Sequence, residues 1–162
     1  MSFSTVRPPS LLALPSYLTS QVAKFGYHYL ANCLREHDLL LGHHAVLTAL
    51  DDFGPLSQQR LANCLNFDKS HLVGRIDHLE QRGLVARMKD PADRRRHQVT
   101  VTPEGQALLA ELRPVAEMSQ QQFLDTLTDS ERETLMTLLR RVLDANDAAR
   151  LGAESEPPAR SA

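Results

Sequence analysis

Apolar positions recur along this chain at two different spacings, and the change from one to the other outlines its architecture. From Ser16 to about His37, Leu18, Val22, Phe25, Tyr29 and Cys33 follow at steps of four, three, four and four, and Leu30 and Leu34 widen the stripe. That period predicts an amphipathic helix with these residues on its inner face. A second helix is expected from Gly42 to about Asp52, stopped by Gly54 and Pro55. Ser57 is placed to cap a third, SQQRLANCL, with Leu61, Ala62 and Leu65 inward. Asn66 and Phe67 then make a tight turn, where asparagine enters the left-handed conformation more readily than most residues. Asp68 caps the next helix and Gly83 ends it. Two helices joined so tightly, with another before them, form a helix-turn-helix.

Past Gly83 the period shortens. Leu84 to Lys89 and His97 to Val101 have strand character, with Val85, Val99 and Val101 as β-branched residues, and Asp90-Pro91-Ala92-Asp93 supplies the turn. Thr102 caps a further helix with Pro103 at its first position and Glu104 in its first turn. It runs through Leu108, Leu112 and Val115 to Leu127, with a kink expected at Pro114. Thr128 to Glu131 is a capping box, opening a last helix that carries Leu135, Leu138, Leu139, Val142 and Leu143. Residues 1–14, interrupted by Pro8 and Pro9, read as a flexible arm, and the polar tail 151–162 as disordered. The predicted fold is mainly α with a small β-wing: a winged helix-turn-helix over 39–102, flanked by helical segments 15–38 and 103–150.

Charge sharpens this picture. The total is −2, but Pro55 to Thr102 holds nine basic residues against five acidic ones, a net of +4 that leaves −6 elsewhere. A basic module in an acidic scaffold suits a polyanion such as double-stranded DNA. Stepping 100° per residue along Asp68–Arg82 puts Leu72, Val73, Ile76 and Leu79 in an inward arc. Ser70, His71, Gly74, Asp77, His78 and Gln81 lie opposite, with Arg75 and Arg82 on a shoulder. Gly74 sits mid-helix, where glycine costs about 1 kcal/mol relative to alanine; a bare backbone there would approach the floor of a major groove. Ser70, His71 and Arg75 are the candidates for base edges, Lys69 and His78 for phosphates. In the turn, Arg94, Arg95 and Arg96 are adjacent like charges suited to a narrow minor groove. Asp93 repels phosphate, so its sensible role is to pair with the arginine two residues on and aim it.

These segments resemble the MarR-type transcriptional regulators, the multiple-antibiotic-resistance repressor family. The similarity lies in HHAVLTAL (43–50), GPLSQQRLA (54–62), DKSHLVGRIDHLEQRGLV (68–85), DPADRRRHQVTVTPEG (90–105) and LTDSERETLMTLLRRVL (127–143). The resemblance implies a homodimer in which 15–38 and 103–150 form the dimerisation layer and each subunit presents one winged helix to a pseudo-palindromic operator. It matches the D-x-R pair of the wing to Asp93 and Arg95, implying Arg95 as minor-groove reader. This chain departs from many relatives in carrying Val73 and Gly74 where they have a small hydroxyl residue and then arginine. It also has Asn66 where glycine is common.

The resemblance further implies release from DNA by a small phenolic or anionic effector. Tyr17, Lys24, Tyr27, His28, His43 and His44 are the polar candidates, each with an alternative as an ordinary surface or core residue. Two variants of the same function stay open: a metal sensor using His37, His43 and His44, which no fixed ligand spacing supports, and a redox sensor using Cys33 or Cys64, where nothing marks an activated thiolate. A protein-interaction role for the winged helix is a third possibility, against which the arginine-rich wing argues. No cofactor is expected. No nucleophile elbow, phosphate loop or zinc-protease motif suggests an enzyme. No apolar run of about 18 residues suggests a membrane span, and no secretory signal is evident, so a cytoplasmic location is expected.

Overall fold

A computed structural model describes residues 7–89 and 97–155, with backbone alone for 151–155. A single turn, α1 (Pro9–Leu12), falls within the expected arm and precedes α2 (Pro15–Glu36). Then come α3 (Leu41–Phe53), α4 (Gln58–Leu65), α5 (Lys69–Gln81), β1 (Val85–Lys89), β2 (His97–Val101), α6 (Pro103–Phe123) and α7 (Asp129–Ser155). α7 thus continues past Leu151, into the predicted tail. The chain divides into two units, residues 1–122 and 123–162.

The caps explain why the elements begin and end where they do. Ser57 Oγ accepts from the Arg60 N–H at 3.3 Å, and Asp68 Oδ1 from the Ser70 N–H at 2.8 Å. Each replaces an N–H partner that the first turn of a helix lacks. Asn66, at φ 50°, closes α4 in the left-handed region, as its short polar side chain allows. Thr102 Oγ1 accepts from the Gly105 N–H at 3.1 Å and donates to the Gly83 carbonyl at 2.6 Å, tying the start of α6 to the end of α5. Thr128 and Glu131 form the expected capping box of α7, with the Thr128 N–H donating to Glu131 Oε2 at 2.8 Å. The α6 helix runs through Pro114 and ends at Phe123, short of Leu127.

The first unit packs the helix-turn-helix around Val46, Leu47, Leu50, Leu61, Leu72, Ile76, Leu79, Val85 and Val99, all buried. β1 and β2 pair antiparallel, Val85 opposite Val101 and Lys89 opposite His97. Leu56, between α3 and α4, adds a one-residue bridge to Val99, giving 3.0 Å from its N–H and 2.8 Å to its carbonyl. The sequence pattern does not reveal this bridge, and it anchors the wing to the start of the helix-turn-helix.

Two inward assignments are corrected. On α2 the buried residues are Gly26, Leu30 and Leu34, while Leu18, Val22, Phe25 and Tyr29 are exposed, Phe25 by 60%. The apolar stripe is wider than the strip this chain covers: the Gly26 carbonyl accepts from Ser119 Oγ and Gln120 Nε2 of α6, and that contact selects the covered edge. On α5, Val73 is 40% exposed, because Leu72, Ile76 and Leu79 already fill the contact with α3 and α4. Cys64 on α4 is exposed, its thiol donating to the Leu61 carbonyl.

Candidate nucleic-acid interface

The N-terminal half of α5 presents an open face. Lys69, Ser70, His71, Val73 and Gly74 are all exposed. A Cβ built on Gly74 would meet nothing within 4 Å, so no packing inside the chain requires glycine there. Asp68 stays ionised at the helix cap: hydrogen bonds from the Ser70 hydroxyl and N–H and the His71 N–H hold its carboxyl below the usual carboxylate range. Its charge lies over the helix N-terminus, where the macrodipole favours it. Val73 is the residue the helical-wheel reading missed. An exposed branched apolar side chain beside bare backbone can meet a thymine methyl in a major groove, and the one available signal was its position next to Gly74.

The other candidates on α5 point elsewhere. The Arg75 guanidinium lies over the Phe67 ring, 4.5 Å from its centroid, and rests so tightly on Gly42 of α3 that a Cβ there would collide with it. His78 turns to the corner between α2 and α3, where its Nε2 is 2.9 Å from the Asp38 carbonyl and 3.7 Å from Asp38 Oδ2. A carbonyl only accepts, so Nε2 carries the proton. The His78 ring also stacks on His43, centroids 4.7 Å apart and planes 13° from parallel. Arg82, one turn on, donates to the His37 carbonyl at 2.8 Å and lies 3.5 Å from Asp38 Oδ2.

Asp77, counted on the polar face, is drawn aside by the wing. Arg87 of β1 binds Asp77 and Glu80 through its guanidinium, and its own N–H donates to Glu80 Oε1 at 3.0 Å. Burial opposes the charge of Arg87, but the two carboxylates outweigh it and raise the guanidinium pKa above its ordinary value. The effect is to neutralise the two acids of the helix and join its flank to the wing. The wing tip itself, with Asp93, Arg94, Arg95 and Arg96, lies outside the described residues.

Of the effector candidates, Lys24, Tyr27 and His28 line one open cavity of about 470 Å³ together with Ser20, Arg35 and Leu41. Tyr17 stands apart, its hydroxyl accepting from Arg7 at 3.2 Å. His43 is buried, and its Nδ1 accepts from the Leu40 N–H at 3.0 Å, an N-terminal cap for α3. Burial, then the charges of His78 and Arg75, push its pKa down; burial alone does so for His44.

His37 faces Glu111 of α6 at 3.6 Å, away from the His43 cap, and among the described residues no three metal-donor side chains converge. Both thiols are shifted away from reactivity. Burial, Glu36 and Glu111 push Cys33 up, and partial desolvation pushes Cys64 up despite the counter-pull of a backbone hydrogen bond and Arg60.

Helix-turn-helix, exposed groove-sized helix and two-stranded wing together define a winged-helix DNA-binding protein. The chain belongs to the MarR family: the family's model matches residues 39–97, and the transcriptional regulator HosA of Escherichia coli O111:H- is 32% identical over 128 residues, covering 74% of this chain and 95% of HosA. The transcriptional repressor NicR of Pseudomonas putida is 35% identical over 103 residues, covering 64% of this chain and 65% of NicR. Among solved structures, Bordetella bronchiseptica BpsR, whose DNA binding is regulated by 6-hydroxynicotinic acid, superposes with a TM-score of 0.76 at 30% identity, covering 85% of this chain and 99% of BpsR. The protein is a DNA-binding transcriptional regulator and not an enzyme. No described helix is long and apolar enough to cross a membrane.

Proposed function

We propose that this chain is a homodimeric repressor that reads a pseudo-palindromic operator and leaves it when a small aromatic anion binds. The observation carrying the DNA reading is the open face of α5. Ser70, His71 and Val73 reach base edges, Lys69 reaches phosphate, and Gly74 lets the backbone descend into the groove. Arg95, aimed by Asp93, enters the flanking minor groove, with Arg94 and Arg96 on phosphates. Arg75 and His78 join the contacts only by leaving Phe67 and Asp38, so they rank behind the exposed residues.

Support for the effector comes from the α2 cavity. Lys24 and Arg35 offer two cations, with Tyr27 and His28 beside them, a set that suits a phenolic carboxylate. Relatives that include a repressor and a protein regulated by 6-hydroxynicotinic acid favour the same chemistry. Arg35 and Leu41 also bracket the His37–Asp38 corner that holds α5, so a ligand there adjoins the support of the DNA-reading helix.

Selection of bound duplexes from a random pool, followed by titration at several salt concentrations, tests the proposal. It should recover inverted half-sites about one helical turn apart, with affinity falling steeply as salt rises through counterion release. Arg95→Ala should cost about 1–3 kcal/mol of binding in a dimer of unchanged melting temperature. A flat salt response would contradict DNA as the partner, and an asymmetric single site would contradict the dimeric reading. Release by 6-hydroxynicotinate or hydroxybenzoates should be lost in Lys24→Ala, Arg35→Ala; release that persists there moves the effector site elsewhere.

A further inference from the structure

The recognition helix is held along one flank by side chains at regular intervals. Arg75, His78 and Arg82 stand three and four residues apart, so they share a face of α5, and that face meets α3 and the α2–α3 corner. Arg75 rests on Gly42; His78 meets the Asp38 carbonyl and the His43 ring; Arg82 meets the His37 carbonyl. Asp38 is common to the last two. Its carboxylate lies 3.7 Å from His78 Nε2 and 3.5 Å from the Arg82 guanidinium, and its backbone is left-handed at φ 54°. In that conformation its own carbonyl and that of His37 are both engaged by α5, across 40 and 45 residues of sequence.

We propose that Asp38 and Arg82 are positioning residues for DNA binding: the corner is a socket that sets the orientation of α5, and neither residue needs to touch the operator. A helix that reads base edges must be held to within a fraction of an ångström, and such precision comes from the shell behind the reading side chains. The hydrophobic contacts of Leu72, Ile76 and Leu79 resist separation of α5 from the core but resist rotation and sliding less, because apolar contacts are non-directional. Hydrogen bonds to two consecutive carbonyls, the one from the Arg82 guanidinium charge-assisted, supply direction.

The sign of the effect separates this reading from its rivals. Removing an acid near a DNA-binding surface should by general electrostatics strengthen binding; loss of the socket should weaken it. Conversely, if Arg82 contacted phosphate itself, its removal would flatten the dependence of log affinity on log salt by about 0.9.

The experiment measures operator and non-specific duplex affinity over a salt series for Asp38→Asn, Asp38→Gly, Arg82→Gln and the double variant Asp38→Asn, Arg82→Gln. Asparagine and glycine both tolerate the left-handed backbone, so neither exchange strains the corner, and thermal melting checks each variant. We expect operator affinity to fall about twofold to fivefold in each single variant, the scale of one solvent-exposed ion pair. Non-specific affinity and the salt slope should stay as in the unaltered protein, and the double variant should be no weaker than the weaker single one. Unchanged or tighter operator binding by Asp38→Asn overturns the proposal. So does full activity of Asp38→Gly, which would mean that the corner needs only its backbone shape. A shallower salt slope in Arg82→Gln, with additive losses, would reassign Arg82 to direct phosphate contact. Should Arg82→Gln melt early, the two Asp38 variants decide alone.

Discussion

At the scale of single residues, His43 does two things that require it to be neutral. Its Nδ1 must keep a free lone pair to cap α3 through the Leu40 N–H, and it sits buried against His78 with Arg75 nearby. Its pKa is therefore lower folded than unfolded, where it is about 6.5. Below that value the unfolded chain binds the proton more readily, so stability is lost as pH falls from about 6.5 toward the folded pKa and levels off beneath it. His44, lowered by burial, adds to the same loss. His43→Gln keeps an acceptor for the cap and cannot be protonated. Denaturant titrations at pH 7.5 and 5.5 should show a smaller acid-side loss for the variant; equal losses would remove His43 from the effect. Gly74 poses the opposite case, since a side chain there fits the isolated chain without collision. Gly74→Leu should leave the melting temperature within a few degrees yet abolish operator binding in a gel-shift assay. Retained specific binding would mean that the backbone does not approach the groove.

At the scale of elements, the wing is fastened to the recognition helix on one side and to α6 on the other. Arg87 grips Asp77 and Glu80 on α5. At the base of the hairpin, α6 begins against Leu84, where a Cβ on Gly105 would overlap the Leu84 carbonyl and crowd Val101. The backbone cannot yield there as a flexible side chain could, because the Leu84 carbonyl also accepts from the Thr102 N–H at 3.1 Å. Gly105→Ala should therefore destabilise the fold by about 1–3 kcal/mol, as overpacking does, read as a lower urea midpoint. An unshifted midpoint would show that the start of α6 can move freely. Thr102, Pro103 and Gly105 thus have a structural reason: threonine caps, proline starts and glycine clears the helix beneath the wing.

At the scale of the whole molecule, apolar surface is left uncovered on α2, where Leu18, Val22, Phe25 and Tyr29 are exposed, and on α7, where Leu138, Leu139, Val142 and Leu143 are exposed. Contiguous apolar faces of this kind usually mark association, in keeping with the proposed dimer. Phe25→Asp should shift the protein toward monomer in sedimentation velocity and weaken operator binding more than non-specific binding; an intact dimer would place the interface off the α2 stripe. What the chain's order of residues determined alone was local: the caps at Ser57, Asp68, Thr102 and Thr128, the left-handed turn at Asn66, the two strands, and the basic module with Gly74 at its centre. Those features rest on hydrogen bonds and periodicities within a few residues, so neighbours in sequence carry them. Only tertiary structure decided which edge of the wide α2 stripe is covered, that Val73 faces out, that Arg75, His78 and Arg82 turn back to Gly42 and the His37–Asp38 corner, and that Arg87 silences Asp77 and Glu80. Those outcomes depend on which helix lies alongside which, and a helical wheel shows the angle of a side chain without the neighbour it meets.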